Sequence, residues 1–305
     1  LYGLIDELVE GDLDRAAWHM AELAGEHPCP EPLSSRPPAV PGNPIAFKNM
    51  KDRIRRRTRG QIAPAAAIEA VELSLSGSTE AAFTAERASF LALKSGPQSA
   101  SLRHVFFAER TAGQIDRAKN AKPLPLRHIG IVGGGTMGAG IATACLQAGF
   151  SVTMVERDED ALCDGLERVD AAIGKALSIG KMSKIQANAA KEAFRGVTDY
   201  ANLGDCDLVI EAVFEDMDVK KDVFAKLDAV TRPNAVLATN TSYLDVDEIA
   251  QAVNDPTRVI GLHFFSPAHV MKLLEIIVAA KASADTLATG MSLGRRLKKT
   301  IAAAG

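Results

Sequence analysis

The segment HIGIVGGGTMGAGIA, residues 128–142, places glycines at a spacing that suits a bound dinucleotide. Gly133, Gly135 and Gly138 form the pattern G-x-G-x-x-G between an apolar run that predicts a buried strand and a small-residue stretch that predicts a helix. The first glycine permits a tight turn, the second lets a pyrophosphate approach the backbone, and the third lets the helix pack closely on the strand. The competing interpretation is a glycine-rich turn without a ligand.

An acidic residue follows at the position where a ribose would lie. The next apolar run, SVTMV, ends in Glu156, whose carboxylate could accept hydrogen bonds from the adenosine ribose. A carboxylate there would repel the 2′-phosphate of NADP, whereas the neighbouring Arg157 could attract it. The sequence therefore favours NAD and leaves the choice of cofactor open.

A histidine and a glutamate further along the chain could transfer a proton. His263 ends the apolar run VIGL, so we expect it at the C-terminal edge of a strand, where ligands bind in open α/β sheets. Glu275 lies inside LLEIIV, where an unpaired carboxylate would be costly to bury, and His263 is its nearest candidate partner. Together they could form an acid–base pair for a substrate hydroxyl. Spacing alone leaves open a structural role for His263, and leaves His269 as a rival.

Short apolar runs alternate with helical stretches from Arg127 onward. Six runs predict strands: HIGIVG, SVTMVE, CDLVIEAV, AVLATN, RVIGLHFF and LLEIIVA. A further strand is expected to begin in KKTIAAAG at the end of the sequence. Apolar strands that alternate with helices are typical of a parallel sheet that is covered on both faces. We therefore predict an α/β fold with a Rossmann-type, mostly parallel sheet and helices on both faces.

The first part of the chain has a different pattern. Residues 1–25 have helical spacing of apolar positions, and residues 26–44 contain seven prolines, which predicts an extended connector. Helical periodicity returns over residues 46–115, with breaks near Gly60–Pro64, Ser76–Ser78 and Lys94–Ser99. A polar, proline-marked hinge then leads to the predicted sheet.

Composition excludes several classes of function. The 305 residues carry a formal net charge of −3 and 47% hydrophobic residues, which is typical of a globular protein without a nucleic-acid partner. No apolar run is long enough to predict a membrane span. The four cysteines lack metal-type spacing, so we predict no metal site. Reduced cysteines favour a cytoplasmic, bacterial-type location, with a peroxisomal or mitochondrial one left open.

The motifs GGGTMG, TNTS, HFFSP and MKLLEII resemble those of the 3-hydroxyacyl-CoA dehydrogenase family in order and spacing. The resemblance implies that His263 is the catalytic base, that Glu275 orients it, and that Ser242 and Ser266 contact substrate and nicotinamide. It further implies an NAD site made of the glycine turn, the ribose-binding acid, a loop at the nicotinamide ribose and one lysine: Gly133, Gly135, Thr136, Met137, Gly138, Glu156, Val213, Phe214, Glu215 and Lys220. Many relatives have Asn in place of Ser266 and Asp in place of Glu156.

The segments before residue 115 resemble the linker of multifunctional fatty-acid oxidation proteins. That resemblance divides the chain into the remnant of a crotonase-type hydratase domain with its connector at 1–44, a helical crotonase-end and linker region at 45–126, and the NAD-binding domain at 127–305. Both ends of the chain are expected to be cut from a longer protein. The hydratase core would precede Leu1, and a C-terminal dehydrogenase domain would follow Gly305.

The expected activity is oxidation of a 3-hydroxyacyl-CoA to the 3-ketoacyl-CoA with NAD, in fatty-acid β-oxidation. The longer protein would also be an enoyl-CoA hydratase, and the resemblance leaves open whether it is dimeric or binds a thiolase. The alternative is an NAD-binding or structural Rossmann fragment without catalysis, because the domain that covers the substrate is not in this chain.

Overall fold

The computed structural model describes residues 8–26, 44–58, 60–75 and 78–304. The chain divides into two compact units between His104 and Val105. Most of the predicted proline-rich connector, residues 27–43, lies outside the described residues. Within the described ranges, no helix is both long and apolar enough to cross a membrane.

The described part of the first unit is helical. Pro64 stands in the first turn of one helix, and the Ser78 side chain caps the next by accepting a hydrogen bond from the backbone N–H of Ala81 at 3.2 Å. The helices are α1 Leu13–Glu26, α2 Pro44–Arg57, α3 Ala63–Ser74, α4 Thr79–Ser95 and α5 Pro97–Ala112, of which α5 continues into the second unit. These bounds confirm the helical region predicted for residues 46–115 and, within the described residues, its breaks, whereas the helix predicted over residues 1–25 begins only at Leu13 in the described part of the chain.

The second unit is built on one sheet of eight strands. The strands are β1 His128–Val132, β2 Ser151–Val155, β3 Phe194–Val197, β4 Leu208–Glu211, β5 Val236–Thr239, β6 Val259–Phe264, β7 Leu273–Ile277 and β8 Thr300–Ala304. Their order is β3-β2-β1-β4-β5-β6-β7-β8. Strands β1 to β6 pair in parallel, β7 is antiparallel to β6, and β8 is parallel to β7. The mostly parallel sheet is confirmed.

Helices cover both faces of this sheet. They are α6 Thr136–Gln147, α7 Glu159–Ser178, α8 Lys184–Glu192, α9 Met217–Val230, α10 Val246–Ala250 and α11 Ala284–Arg296. Every residue of β4 and β5 is buried, so side chains that alternate between the two faces are covered on both. The order of strands puts the ends of β1, β2, β4, β5 and β6 at one edge, where the predicted site residues follow.

Strand β3 is an element that the sequence patterns did not predict. Its sequence, FRGV, contains a charged residue and a glycine, so it lacks the continuous apolar run of the central strands. It lies at the edge of the sheet beside β2 and is only partly buried. Because an edge strand buries less apolar surface, its sequence does not need the apolar run from which the central strands were predicted.

Residues 113–126 pack with the sheet unit. Ile115, Ala118 and Leu126 are buried in its core. The guanidinium of Arg117 donates hydrogen bonds to the backbone oxygens of Ala279 and Ala280, both at 3.1 Å. These backbone acceptors fix the predicted polar hinge on the sheet unit.

Candidate active site

The glycine turn follows β1, and its geometry requires two of the glycines. Gly133 has a φ of +98°, and a Cβ there would lie 2.7 Å from the backbone oxygen of Ala212. A Cβ on Gly138 would lie 1.8 Å from the backbone oxygen of Gly133. Both contacts are shorter than any side chain tolerates, so the turn and the close approach of α6 depend on these two residues.

Gly135 serves a different purpose. A Cβ at this position would meet nothing within 4 Å, so the glycine is not needed for packing. Gly135 and Thr136 are exposed at the start of α6, and Met137 beside them is partly buried. The first turn of a helix has backbone N–H groups without intrahelical acceptors. Open space in front of such donors fits the pyrophosphate of a dinucleotide.

Glu156 follows β2 and reaches the glycine turn. Its Oε1 accepts a hydrogen bond from the backbone N–H of Gly134 at 2.5 Å, and its Oε2 accepts one from the backbone N–H of Arg157 at 3.0 Å. The Nε of Arg157 lies 2.9 Å from Oδ2 of Asp158. This pair is largely exposed, with the Arg157 side chain at 84%, so it contributes little and leaves the guanidinium able to turn towards a ligand.

A buried ion-pair network lies behind the loop after β4. Lys220 on α9 has a fully buried ammonium, 2.7 Å from Oε1 of Glu211 and 3.1 Å from Oε2 of Glu215. Glu211, also fully buried, accepts further bonds from Oγ1 of Thr239 at 2.6 Å and the backbone N–H of Val213 at 2.8 Å. Lys220 was expected as a direct cofactor contact, but its Nζ lies inside this network.

Glu215 joins this network to the loop after β5. Its Oε1 accepts hydrogen bonds from Oγ1 of Thr241 at 2.6 Å and from the backbone N–H and Oγ of Ser242 at 2.7 and 3.2 Å. Burial tends to raise the pKa of Glu215, but the bonds from Thr241, Ser242 and Lys220 outweigh it and hold that pKa below its ordinary value. Phe214, beside it, is 79% exposed.

The predicted acid–base pair is present in the structure. His263 on β6 and Glu275 on β7 are directly opposite in the antiparallel register, and His263 Nδ1 lies 2.8 Å from Glu275 Oε2. The histidine side chain is 18% exposed and that of the glutamate 34%. Glu275 is thus partly exposed rather than buried, because the residues of β7 alternate between the core and this open face. The ring of Phe265 lies 4.5 Å from the imidazole between centroids.

Asn240 supports this pair, and the sequence patterns did not single it out. It follows β5, and its Oδ1 accepts a hydrogen bond from the backbone N–H of Phe264 at 2.8 Å. The bond ties the end of β5 to the residue after His263. Ser266 is exposed in the following loop, and its bond to Pro267 is cis. His269, the rival candidate, is partly buried in the same loop. The histidine that contacts Glu275 is His263.

The parallel strands bring the predicted residues to one edge of the sheet. The glycine turn follows β1, Glu156 follows β2, the loop of Glu215 follows β4, and Ser242 follows β5. His263 lies near the end of β6. Clefts at this edge are where open α/β sheets bind ligands. Among the described residues, no group of three or more histidine, cysteine or carboxylate side chains could hold a metal ion.

Residues 128–304 match the family model described as 3-hydroxyacyl-CoA dehydrogenase, NAD binding domain. The chain belongs to this family, and the cofactor of its domain is NAD. The resemblance inferred from the motifs is confirmed.

Relatives with longer chains share this sequence. The peroxisomal bifunctional enzyme of Cavia porcellus is 37% identical over 310 residues, a match that covers 99% of this chain and 43% of the relative. That of Homo sapiens is 37% identical over 308 residues and is covered to 42%. The chain therefore spans about two fifths of the length of these relatives.

Solved structures share the sheet unit. The (S)-3-hydroxybutyryl-CoA dehydrogenase of Ralstonia eutropha has a TM-score of 0.57 at 34% identity, with 59% of this chain and 63% of the other covered. The dehydrogenase part of multifunctional enzyme 1 from C. elegans has a TM-score of 0.58 at 30% identity, with 66% and 48% covered. These similarities confirm the Rossmann-type fold.

Proposed function

We propose that the site oxidises a 3-hydroxyacyl-CoA to the 3-ketoacyl-CoA with NAD, as a step of fatty-acid β-oxidation. The observation that carries the proposal is the contact of 2.8 Å between His263 and Glu275 at the cofactor edge of the sheet. Family membership and relatives that are named dehydrogenases and β-oxidation proteins support it. NAD, when bound, accepts a hydride from carbon 3 of the substrate.

His263 is the proposed base. When the N–H at Nδ1 of its ring donates a hydrogen bond to Glu275, the lone pair of Nε2 is left free to accept the proton of the substrate hydroxyl. The imidazolium that forms is stabilised by the carboxylate, which keeps the ring in the reactive tautomer and orientation. Asn240 acts indirectly, because it fixes the backbone of Phe264, next to the base.

The NAD-binding residues are proposed from the family resemblance, and their positions at the edge of the sheet support the proposal. The glycine turn and the start of α6, Gly133 to Gly138, would hold the pyrophosphate, and Glu156 would turn from Gly134 to the adenosine ribose. Val213, Phe214 and Glu215 would line the nicotinamide ribose. Lys220 is proposed to act at the cofactor site through Glu215, because its buried ammonium contacts Glu211 and Glu215.

Ser242 and Ser266 are proposed to contact substrate and nicotinamide. Ser242 is exposed and is held at its backbone N–H by Glu215, which fixes where its hydroxyl can reach. Ser266 is exposed three residues after His263, in the loop that joins β6 to β7. A donor that is fixed in the way that Ser242 is can hold carbon 3 against the nicotinamide, which lowers the entropic part of the barrier.

Substitution of the pair tests the proposal. We expect His263→Gln to lower the rate of NADH formation from NAD and 3-hydroxybutyryl-CoA by about 100- to 10,000-fold, the usual contribution of a general base. Glu275→Gln removes a charged hydrogen bond, which corresponds to a loss of roughly 10- to 100-fold. NADH affinity, measured by fluorescence titration, should be unchanged in both.

The exposed His104 of α5 offers a matched control, because His104→Gln should leave the rate unchanged. Retention of most activity by His263→Gln would contradict the proposed mechanism. The alternative function, NAD binding without catalysis, predicts a wild-type chain that binds NADH and forms none from 3-hydroxybutyryl-CoA.

The longer protein is proposed to have a second activity, hydration of enoyl-CoA. The resemblance of residues 1–115 to the linker of multifunctional fatty-acid oxidation proteins supports this, as do relatives named bifunctional or multifunctional. In this proposal, residues 1–44 are the remnant of the hydratase domain with its connector, residues 45–126 are the helical linker region and residues 127–305 are the NAD-binding domain. Dimerisation or thiolase binding is testable by analytical ultracentrifugation of the longer protein.

The cellular location is a further prediction. Reduced cysteines favour the cytoplasm, whereas the relatives named above are peroxisomal. Imaging of the longer protein with a fluorescent tag would distinguish the two compartments.

A further inference from the structure

A basic pocket lies on the sheet unit away from the acid–base pair. It is formed where the end of α6, the turn into α8 and the end of α11 meet, and its volume is about 740 Å³. Lys181, His269, Arg296, Lys298 and Lys299 line it, whereas none of the lining residues in the described chain is an aspartate or a glutamate.

The positive charges in this pocket lack carboxylate partners among the described contacts. Lys299 Nζ donates hydrogen bonds to the backbone oxygens of Ala268 and Met271, the latter at 2.6 Å. The Arg296 guanidinium donates to the backbone oxygen of Leu126 at 2.6 Å. Carbonyl oxygens satisfy N–H groups without neutralising the charge, so an anion in the pocket would be attracted by all the cations at once.

His269 adds an unsatisfied polar atom. Its buried Nδ1 has no hydrogen-bond partner within the described structure. Burial, followed by the charges of Lys181, Lys299 and Lys175, lowers the pKa of this histidine. A neutral imidazole can present an N–H donor at Nδ1, and a buried polar atom of this kind normally has a partner.

Lys298 occupies an unfavourable backbone conformation at the rim. It follows α11 with a φ of 55° and is the single non-glycine residue with positive φ in the described chain. The N–H of Lys299 bonds to the oxygen of Gly294 and that of Lys298 to the oxygen of Arg295, which is the Schellman ending that normally has glycine at this position. A lysine in this conformation is less stable than a glycine would be, and it places a positive charge beside the pocket.

The helix dipole explains only part of this cluster. Basic residues at the end of α11 are favourable there, because the C-terminus of a helix is partly negative. Lys181 and His269 belong to other elements, the turn before α8 and the loop after β6. Their convergence on the same pocket is independent of the end of α11.

We propose that this pocket binds a phosphate group, either free phosphate or a phosphate on a larger ligand. The ammonium groups of Lys181, Lys298 and Lys299 would supply charge, and Nδ1 of His269 a directed donor. The ring of Phe150, stacked 3.7 Å below the Arg296 guanidinium, keeps that cation facing the pocket. None of the residues that line this pocket is among those assigned to NAD or to the proposed reaction.

Calorimetric titration of the full chain with inorganic phosphate, pyrophosphate and adenosine 3′,5′-bisphosphate tests this proposal. We expect saturable binding that weakens with added salt. Lys181→Gln and Lys298→Gly should each weaken it by about two- to fivefold, and together by about tenfold. Lys281→Gln, at an exposed lysine outside the pocket, should leave the affinity unchanged.

Lys298→Gly also separates binding from folding. Because glycine is preferred in the left-handed conformation, this variant should raise Tm while it weakens phosphate binding. Tight binding of the bisphosphate alone would identify a nucleotide-borne phosphate, and comparable binding of all three probes would identify a free phosphate site. No saturable binding, or equal affinity in the wild type and the double variant, would overturn the proposal.

Discussion

At the scale of single residues, the glycines of one motif have different roles. Gly138 is required for folding, because any Cβ there would overlap the Gly133 oxygen at 1.8 Å. Gly135 faces open space, so its small size matters only when a ligand approaches. The sequence pattern predicted close helix packing for Gly138 and approach of the pyrophosphate for Gly135, and the contacts show that the protein needs Gly138 even without a nucleotide.

Substitution by alanine should separate these roles. Gly135→Ala should leave Tm within about 2 °C of the wild type, since a surface change costs under about 0.5 kcal/mol. It should weaken NADH binding by about tenfold or more, because the methyl group occupies the path of the pyrophosphate. Gly138→Ala should lower Tm and NADH affinity together. Fluorescence titration and thermal unfolding measure both, and unchanged NADH affinity in Gly135→Ala would contradict the assigned role.

His263 and Glu275 were predictable as single residues, because a charged residue within an apolar run needs a partner. The same signal was present at Glu211, in the run LVIEAV, but its partner Lys220 is on a helix and contributes no pattern. Asn240 belongs to the motif TNTS, but its role was not predicted, because that role depends on a hydrogen bond to the backbone of another strand. Residues whose roles depend on nonlocal backbone contacts are the ones that sequence reasoning misses.

At the scale of elements, apolar runs predicted every strand except β3 and the mostly parallel pairing, but they did not predict that β7 runs antiparallel to β6. The antiparallel turn from β6 to β7 is what places Glu275 directly opposite His263. A one-residue shift in this register would turn the carboxylate to the other face of the sheet. The active pair therefore depends on an arrangement of strands that apolar periodicity alone does not determine.

The network behind the β4 loop gives a test at this scale. Lys220→Met should lower the free energy of unfolding by about 3–5 kcal/mol, because it leaves Glu211 buried without a counter-charge. The double variant Glu211→Gln/Lys220→Met should recover part of this loss, and chemical denaturation measures both. A double variant that is less stable than Lys220→Met would contradict the assigned pairing.

A second buried pair, between α9 and the turn before β6, predicts a pH dependence. Asp228 lies 2.6 Å from the Arg258 guanidinium, and both side chains are nearly buried. Burial tends to raise the pKa of Asp228, but Arg258 and Asn254 hold it below the ordinary 3.8. Because the folded-state pKa is the lower one, the stabilisation is present above about pH 4 and is lost as the pH falls further.

Arg258→Leu should therefore cost about 3–5 kcal/mol at pH 7, and less as the pH falls through the pKa of Asp228. Urea denaturation at pH 7 and near pH 3.5 measures the change. Asp222→Asn breaks the exposed pair with Lys226 and should change stability by less than about 1 kcal/mol at either pH. An equal loss for Arg258→Leu at both values of pH would show that the charge of Asp228 is not involved.

At the scale of the whole molecule, the sequence predicted a sheet domain after a helical region, and the structure has two compact units that divide between His104 and Val105. The predicted module boundary at 126 follows the resemblance, whereas the physical boundary follows packing. Residues 113–126 contain no helix or strand signal, so their attachment through Arg117 to distant backbone oxygens was not predictable. The relatives are longer than this chain, which covers 43% of the peroxisomal bifunctional enzyme of Cavia porcellus.

The central claim is that the sheet edge is an NAD site beside the acid–base pair, and a fluorescence titration of NADH and NADPH into the full chain tests it most directly. The carboxylate of Glu156, which follows β2 where the adenosine ribose would lie, would repel a 2′-phosphate, so we predict saturable NADH binding that is about tenfold or more tighter than that of NADPH. Equal or tighter binding of NADPH, or binding of neither by a chain shown to be folded, would contradict the account.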